Sequence, residues 1–239
     1  MMASRISAGA RTLTTLARLF SSSAPPIQKR VLVAVANGSE ELETVSIVDI
    51  LRRTQTTEVV LAKVDSNEEA SEEMLRSNAL LNQMSRQVLI QADSFFKDLD
   101  HSEFDAIVLP GGLKGAEAFS ESPQLVEVVK TFLEEGKLVG AICAAPALVL
   151  NKHDLIEKYE KITSFPAFKE QIVWSGDHNA EYLDSEPVAV SKNLVTSQGP
   201  GTSVEFSLKL VELLYDKEKA LGVANPLVLK CSKEFYKQN

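Results

Sequence analysis

Cys143 has the sequence surroundings best suited to chemistry. It follows the apolar run Leu138-Val-Gly-Ala-Ile142 and precedes Ala144-Ala-Pro146, so a buried strand is predicted to turn into a helix at this cysteine. Small neighbours permit the sharp turn that a nucleophile needs. The N-terminus of the following helix favours a thiolate and is predicted to lower the cysteine pKa. Context alone leaves a second interpretation open, a small apolar side chain in the core.

A second candidate is the loop Leu109-Pro-Gly-Gly-Leu-Lys-Gly115, which follows another apolar run. Its glycines, among them Gly111 and Gly112, let the backbone approach a ligand closely. Their amides could face an oxyanion. The spacing matches neither a P-loop nor a dinucleotide-binding fingerprint, so no nucleotide site is predicted.

The third candidate is the acidic turn Gly38-Ser-Glu-Glu-Leu-Glu43. Glu40 and Glu41 are interpreted as favourable charges at the start of a helix. Glu43 takes a different role if it points inward toward Cys143, because burial would raise its pKa and let it donate a proton.

These loops need a scaffold, and the chain alternates strands with helices. Arg30 to Ala36 is predicted to be a strand, followed by a helix with Ser39 as N-cap that ends by Arg53. Residues 58–64 form the next strand, which completes a β-α-β unit. The helix is expected to turn Leu42, Val45, Val48 and Ile50 toward the core.

Further runs of the buried type indicate strands at 88–90, 106–109, 138–142 and 194–196, with helices at 123–135 and 202–214. Residues 65–76 are interpreted as an acidic surface insertion. The fold class is therefore α/β, with a mostly parallel sheet flanked by helices. Ligands bind beyond the carboxyl ends of such strands, where all three candidate loops lie.

Composition narrows the function classes. The 239 residues are 44% hydrophobic with a net charge of −8, which fits one domain over 28–230 with a tail at 231–239 and disfavours a nucleic-acid groove. No apolar run is long enough to span a bilayer, so no membrane partner is expected. The two cysteines form no disulfide framework, and Cys231 is interpreted as incidental.

Residues 1–24 are predicted to be a cleavable targeting peptide. No Asp or Glu occurs before Glu40, and Arg11 and Arg18 would lie opposite an apolar helix face. These features are typical of a mitochondrial presequence, so the matrix is the expected location. A chloroplast or cytoplasmic location is the alternative.

Several separate motifs occur in one order along the chain: Asn37-Gly-Ser-Glu-Glu-Leu-Glu43, Leu109-Pro-Gly-Gly112, Ala141-Ile-Cys-Ala-Ala-Pro146 and Thr196-Ser-Gln-Gly-Pro-Gly-Thr202. With them the sequence resembles the ThiJ/PfpI superfamily, in the branch of the Parkinson disease protein DJ-one and the bacterial YajL. The resemblance covers Arg30 to Leu229.

The resemblance implies a flavodoxin-like sandwich, a homodimer without cofactor or metal, and Cys143 as the nucleophile. Glu43 would be the protonated general acid and base. The resemblance also implies that the backbone amides of Gly112 and Ala144 form an oxyanion site. It places Gly111, Arg53 and Arg86 at the pocket or the dimer interface.

The implied activity is that of a deglycase or glutathione-independent glyoxalase that acts on methylglyoxal, glyoxal and their adducts with proteins and nucleotides, in protection against oxidative stress. The alternative is a non-catalytic redox sensor or redox-regulated chaperone that uses the same cysteine. Peptide hydrolysis ranks third, because Phe165 stands where many animal members have histidine and cannot protonate a leaving amine.

The three histidines, His101, His153 and His178, match no zinc-binding spacing and are interpreted as surface or loop residues. His178 is the one that could substitute for the missing base.

Overall fold

The computed structural model describes residues 27–64, 79–175 and 180–229, and its centre is a seven-stranded sheet. The strands are β1 Lys29–Val35, β2 Thr57–Lys63, β3 Leu81–Gln83, β4 Leu89–Gln91, β5 Ser94–Phe95, β6 Ala106–Leu109, β7 Leu138–Ile142, β8 Lys161–Ile162, β9 Glu181–Tyr182, β10 Val188–Ser191 and β11 Leu194–Ser197. The sheet order is β10-β11-β7-β6-β1-β2-β5, and only the β10–β11 pair is antiparallel. Two small ribbons, β3–β4 and β8–β9, lie outside it.

Helices cover both faces of this sheet. They are α1 Glu41–Arg52, α2 Leu113–Ser120, α3 Pro123–Glu134, α4 Ser203–Leu214 and α5 Lys217–Ala224, with a π-helical turn at Pro146–Asn151. Phe119 of α2 and Phe132 of α3 pack on one face, while Ile47 of α1 and Phe206 of α4 pack on the other. The predicted flavodoxin-like sandwich is confirmed.

The two-sided covering explains the apolar run in β1. Leu32 and Ala34 point into one apolar cluster, and Val31 and Val33 into the other, all fully buried. A strand buried on both faces reads as a continuous β-branched run rather than as an alternation. The strands predicted at 106–109, 138–142 and 194–196 follow the same rule and are confirmed within a residue.

The N-cap prediction for the first helix is wrong. Glu40 occupies the cap, and its Oε2 accepts a 2.7 Å hydrogen bond from the Glu43 amide. Ser39 is fully buried, and its hydroxyl accepts from the Ala36 amide. A Cβ on Gly115 would lie 2.5 Å from Ser39 Oγ, so the close approach of α2 holds Ser39 inside the turn.

The expected inward face of α1 is also partly wrong. Leu42 is 54% and Val45 52% exposed, whereas the buried positions are Glu43, Thr44, Ile47, Ile50 and Leu51. The helix is therefore rotated so that a carboxylate, rather than Leu42, faces the sheet.

The run at 88–90 is not buried in the central sheet. Val88 and Leu89 are 49% and 55% exposed, and β4 pairs only with β3 in the separate hairpin. Glu41 holds this hairpin by accepting hydrogen bonds from the Ser85 hydroxyl and the Arg86 amide.

The helices predicted at 123–135 and 202–214 are confirmed as α3 and α4. The targeting peptide at 1–24, Cys231, His178 and the whole insertion at 65–76 lie outside the described residues. Over the ranges that are described, no helix is both long enough and apolar enough to cross a membrane.

Candidate active site

The order in which strands are added to the central sheet reverses at β1. After β1 the chain adds β2 on one side, and it later adds β6, β7 and β11 on the other. The carboxyl ends of β1, β6 and β7 therefore meet at a topological switch point, which is where open α/β sheets bind ligands. The three loops that leave these strands carry Glu43, Gly111 and Cys143.

Glu43 reaches the switch point from the first turn of α1 and is fully buried. Its Oε2 accepts a 2.6 Å hydrogen bond from the Gly111 amide. Its Oε1 is buried too and accepts no hydrogen bond from the described residues. A buried oxygen without a donor disfavours the charged carboxylate, because nothing replaces the lost water.

The loop after β6 must carry glycine at two positions. A Cβ on Gly111 would lie 2.5 Å from Cys143 Cβ and 2.8 Å from Glu43 Oε2. Gly112 has a φ of 84°, and a Cβ there would lie 2.2 Å from the Gly38 carbonyl oxygen. A larger residue at Gly111 would therefore push Cys143 and Glu43 apart, and one at Gly112 would displace the turn that begins at Gly38.

Cys143 follows β7 directly and has a φ of 64°, in the left-handed region that non-glycine residues seldom occupy. Its amide donates to the Ser197 carbonyl at 3.0 Å, and its carbonyl accepts from the Phe165 amide at 2.8 Å. These two bonds hold the residue in a conformation that costs about 1–3 kcal/mol. The strained turn leaves Cys143 partly exposed between two buried neighbours, as predicted for a nucleophile turn.

Burial raises the pKa of the Glu43 carboxyl from 4.5 to about 7. The Gly111 amide opposes this change, the negative charge of Glu40 adds to it, and the Cys143 side chain lowers the pKa. Near neutral pH the group therefore exists in both protonation states. A carboxyl group with this property can accept a proton and return it.

Burial, followed by the charge of Glu43, raises the pKa of the Cys143 thiol to about 12. The backbone amides of Gly112 and Ala144 hydrogen bond to the sulfur and act in the opposite direction. The prediction that the cysteine pKa is lowered is therefore wrong, because burial and Glu43 raise it. The backbone amides do lower it, as expected, but their effect is smaller. Protonation of Glu43 removes its charge, which is the second cause of the increase.

The model of the DJ-1/PfpI family matches residues 29–213 of this chain. The chain belongs to the DJ-1/PfpI family. Protein DJ-1 homolog B of Arabidopsis thaliana is 41% identical over 195 residues, which is 82% of this chain but only 40% of the plant protein. The glutathione-independent glyoxalase DJR-1.2 of Caenorhabditis elegans is 38% identical over 140 residues, 59% of this chain and 71% of that protein.

Solved structures agree with the family assignment. The structure of oxidized Toxoplasma gondii DJ-1 superposes with a TM-score of 0.72 at 39% identity and covers 85% of this chain and all of that one. The resemblance to the DJ-1 branch of the superfamily is confirmed.

Two arginines that family resemblance placed at the pocket or interface have other partners here. The Arg53 guanidinium pairs with Asp49 at 2.6 Å on the surface of α1. The Arg86 guanidinium donates to the Ser85 carbonyl. Neither side chain hydrogen bonds to Cys143 or Glu43 in the described part of the chain, and an interface role for them stays a prediction.

Phe165 contributes to the nucleophile turn through its backbone amide, which donates to the Cys143 carbonyl. His101 Nε2 lies 2.9 Å from the Phe96 carbonyl, and burial lowers its pKa. His153 Nε2 lies 3.0 Å from the Ser120 hydroxyl. Across the described ranges no three His, Cys, Asp or Glu side chains group as metal ligands would.

The sequence analysis missed the capping role of Glu40 and the contribution of Ser197. Glu40 caps α1, and its amide donates to the Gly111 carbonyl at 3.0 Å, which ties the carboxylate turn to the glycine loop. The signal was present, because Glu40 lies three residues before Glu43, the spacing of an N-cap contact. Ser197 acts through its carbonyl, for which a side-chain motif gives no signal.

Proposed function

We propose that this protein is a cofactor-free, cysteine-dependent enzyme that consumes methylglyoxal and glyoxal and removes their adducts from proteins and nucleotides. The observation that carries the proposal is the convergence on Cys143 of a buried carboxyl with a pKa of about 7 and two backbone amides. The name of the Caenorhabditis elegans relative, a glutathione-independent glyoxalase, supports the same chemistry.

Glu43 activates the thiol in this scheme. Because the Cys143 pKa is raised to about 12, a standing thiolate is scarce at neutral pH. The thiol proton passes to ionised Glu43 while the sulfur bonds to the aldehyde carbon. The carbonyl oxygen takes the electron pair beside the amides of Gly112 and Ala144 and then receives the proton from Glu43, which completes a hemithioacetal.

The remaining steps need no external oxidant. The former aldehyde carbon loses its C–H proton while the neighbouring carbonyl oxygen gains a proton, which gives an enediol. The second carbon then gains a proton while the hydroxyl on the first carbon loses its proton, so the first carbon is oxidised as the second is reduced. Water then cleaves the resulting thioester and releases lactate from methylglyoxal or glycolate from glyoxal. Glu43 is the acid and base for these transfers, since Phe165 cannot exchange protons.

The test is lactate formation from methylglyoxal by the reduced protein, compared with Cys143→Ser. We expect the variant to fall to the buffer rate, because an alcohol with a still higher pKa replaces the thiol. Cys231→Ser is the matched control and should keep the wild-type rate. Equal turnover by wild type and Cys143→Ser would refute the proposal.

A redox sensor is the second candidate, favoured by the oxidized form in which Toxoplasma gondii DJ-1 was solved. In that function Cys143 reacts with peroxide and its oxidised form changes the binding of a partner or the protection of other proteins. Selective oxidation of Cys143 by mild peroxide, in a protein that turns over no dicarbonyl, would support it over the enzyme.

A homodimer and a mitochondrial location belong to the same proposal. Leu42 and Val45 on α1, with Val88 and Leu89 on the hairpin, are exposed apolar residues of the kind that mark a protein interface. Sedimentation of the purified protein would measure the dimer. A fluorescent protein fused behind residues 1–24 that stayed in the cytosol would refute the matrix location.

A further inference from the structure

Phe165 is a large apolar side chain that stays 40% exposed beside the reactive thiol. Its amide donates to the Cys143 carbonyl at 2.8 Å, so the two backbones touch. On the other side of Cys143, the cysteine amide donates to the Ser197 carbonyl. The nucleophile is therefore flanked by the Phe165 segment and the Ser197 segment.

The ring of Phe165 reaches toward the second of these segments. A Cβ on Gly199 would lie 3.4 Å from Phe165 Cδ2, which is ordinary van der Waals contact. The ring thus extends from the Phe165 segment on one side of Cys143 toward Gly199, which follows Ser197 on the other side. The exposed part of the ring therefore lies on the side of the molecule where these two segments meet Cys143.

The backbone that leads into Phe165 is held by hydrogen bonds of the two preceding residues. The Thr163 amide donates to Thr196 Oγ1 at 2.9 Å, and the Ser164 amide donates to the Tyr182 hydroxyl at 3.2 Å. Phe168 supports the ring from one side, with the two centroids 6.2 Å apart. A surface held in place before binding loses little conformational entropy when a ligand covers it.

We propose that Phe165 is the wall of a subsite beside Cys143, and that it favours electrophiles carrying an alkyl or aryl substituent over those carrying hydrogen. The ring offers apolar surface to a substituent and no hydrogen bond to a hydrated or polar one. The inference rests on the proposed function where it names the substrate class, which is α-oxoaldehydes with an apolar group.

The first test compares kcat/KM for phenylglyoxal and for glyoxal. Phe165→Ala is expected to lower the ratio of the two values about tenfold, which is about 1.4 kcal/mol. Phe165→Leu, which keeps an apolar wall, should retain most of the ratio. Leu213→Ala is the matched control, since Leu213 is 41% exposed at the opposite end of the sheet, and it should leave the ratio unchanged.

A ratio that stays within twofold of wild type in Phe165→Ala would overturn the inference. An equal fall for both substrates would overturn it too, since that result indicates a structural role for Phe165 rather than selection.

The second test needs no turnover. Mass spectrometry would follow alkylation of Cys143 by N-phenylmaleimide and by N-methylmaleimide in the Cys231→Ser background. The phenyl-to-methyl rate ratio should fall several-fold in Phe165→Ala and recover in Phe165→Leu, and an unchanged ratio contradicts the subsite. If the phenyl-to-methyl ratio falls in Phe165→Ala but the wild type turns over no dicarbonyl, the subsite is supported and the proposed function is refuted. If the wild type turns over dicarbonyls but the ratio is unchanged in Phe165→Ala, the proposed function is supported and the subsite is refuted.

Discussion

The two ends of the central sheet differ in how they hold charge. At the amino ends of the strands an open cleft of about 380 Å³ is lined by Lys29, Asp105, Lys137 and Lys192. Two of its lysines have partners nearby. Lys29 forms an ion pair with Asp105 at 3.1 Å, and Lys192 donates a hydrogen bond to the Lys158 carbonyl. At the carboxyl ends one fully buried carboxyl faces one strained cysteine.

This difference shows which features indicate reactivity. Ion pairs in contact with water are screened and contribute about 0–1 kcal/mol each, so charges gathered in an open cleft do not by themselves indicate reactivity. A buried carboxyl with a shifted pKa beside a residue in a rare backbone conformation marks a functional site.

The largest expected effect separates two glycines, one at each end. Gly111→Ala would force Cys143 and Glu43 apart, and we expect Cys143-dependent activity to fall about 100-fold or more. Gly136→Ala at the amino end meets nothing within 4 Å, and only its φ of 72° is unfavourable. It should lose about 1–2 kcal/mol of stability and no activity. Turnover assays and urea denaturation of both variants test this, and an active Gly111→Ala would contradict the site geometry.

Glu43→Gln should remove a pH dependence of folding stability. The native pKa of about 7 lies above the ordinary 4.5, so the native state binds the proton more tightly than the unfolded chain. Stability is therefore fully present below about pH 4.5 and falls by about 3 kcal/mol as the pH rises through about 7. Urea denaturation at several pH values should show this fall in wild type and not in Glu43→Gln.

Glu41→Gln is the matched control for that experiment. Burial raises the Glu41 pKa, but hydrogen bonds from Ser85 and the backbone outweigh it and leave the pKa lowered, so its contribution to stability is lost as the pH falls. The lowered pKa of His101 is common to all variants and cancels in their differences. Parallel curves for wild type and Glu43→Gln would contradict a buried, proton-binding Glu43.

A smaller effect is expected for Glu40→Gln. The amide oxygen of glutamine can still accept from the Glu43 backbone, but the charge that helps to raise the Glu43 pKa is gone. The midpoint of the pH dependence of Cys143 alkylation should therefore fall below that of wild type. An unmoved midpoint would mean that Glu40 acts only as a helix cap.

The smallest effect is expected at the amino end. Lys29→Met breaks the ion pair with Asp105, while Asp105 still accepts from the Arg30 amide. Stability should drop by about 0.2–1 kcal/mol, less in high salt, with no change in Cys143 alkylation. A change in the alkylation rate would show that the two ends are coupled.

The sequence predicted the scaffold because its strands are apolar on both faces and bounded by recognisable turns. That property placed the loops of Glu43, Gly111 and Cys143 at one end of the sheet. The sequence also predicted that Glu43 would have a raised pKa if its side chain pointed inward. The side chain is buried and its pKa is raised.

What sequence could not supply depends on neighbours distant along the chain. Hydrophobic periodicity assigned Leu42 inward because it treats a carboxylate as a surface residue, whereas Gly111 offers Glu43 a buried hydrogen bond. The direction of the Cys143 pKa change depends on burial and on Glu43, 100 positions away along the chain. Local pattern shows only the helix amides, which are the weaker influence.

The edges of the central sheet bear on behaviour at high protein concentration. β5 is two residues long, and β10 at the opposite edge is four residues long and hydrogen bonded through Ser191 to the Glu160 amide. Short or covered edge strands give a neighbouring copy little backbone to pair with, which is how proteins avoid fibrous aggregation. Contacts between crowded copies are therefore expected to form through surface side chains rather than through strand pairing, which favours reversible association over fibres.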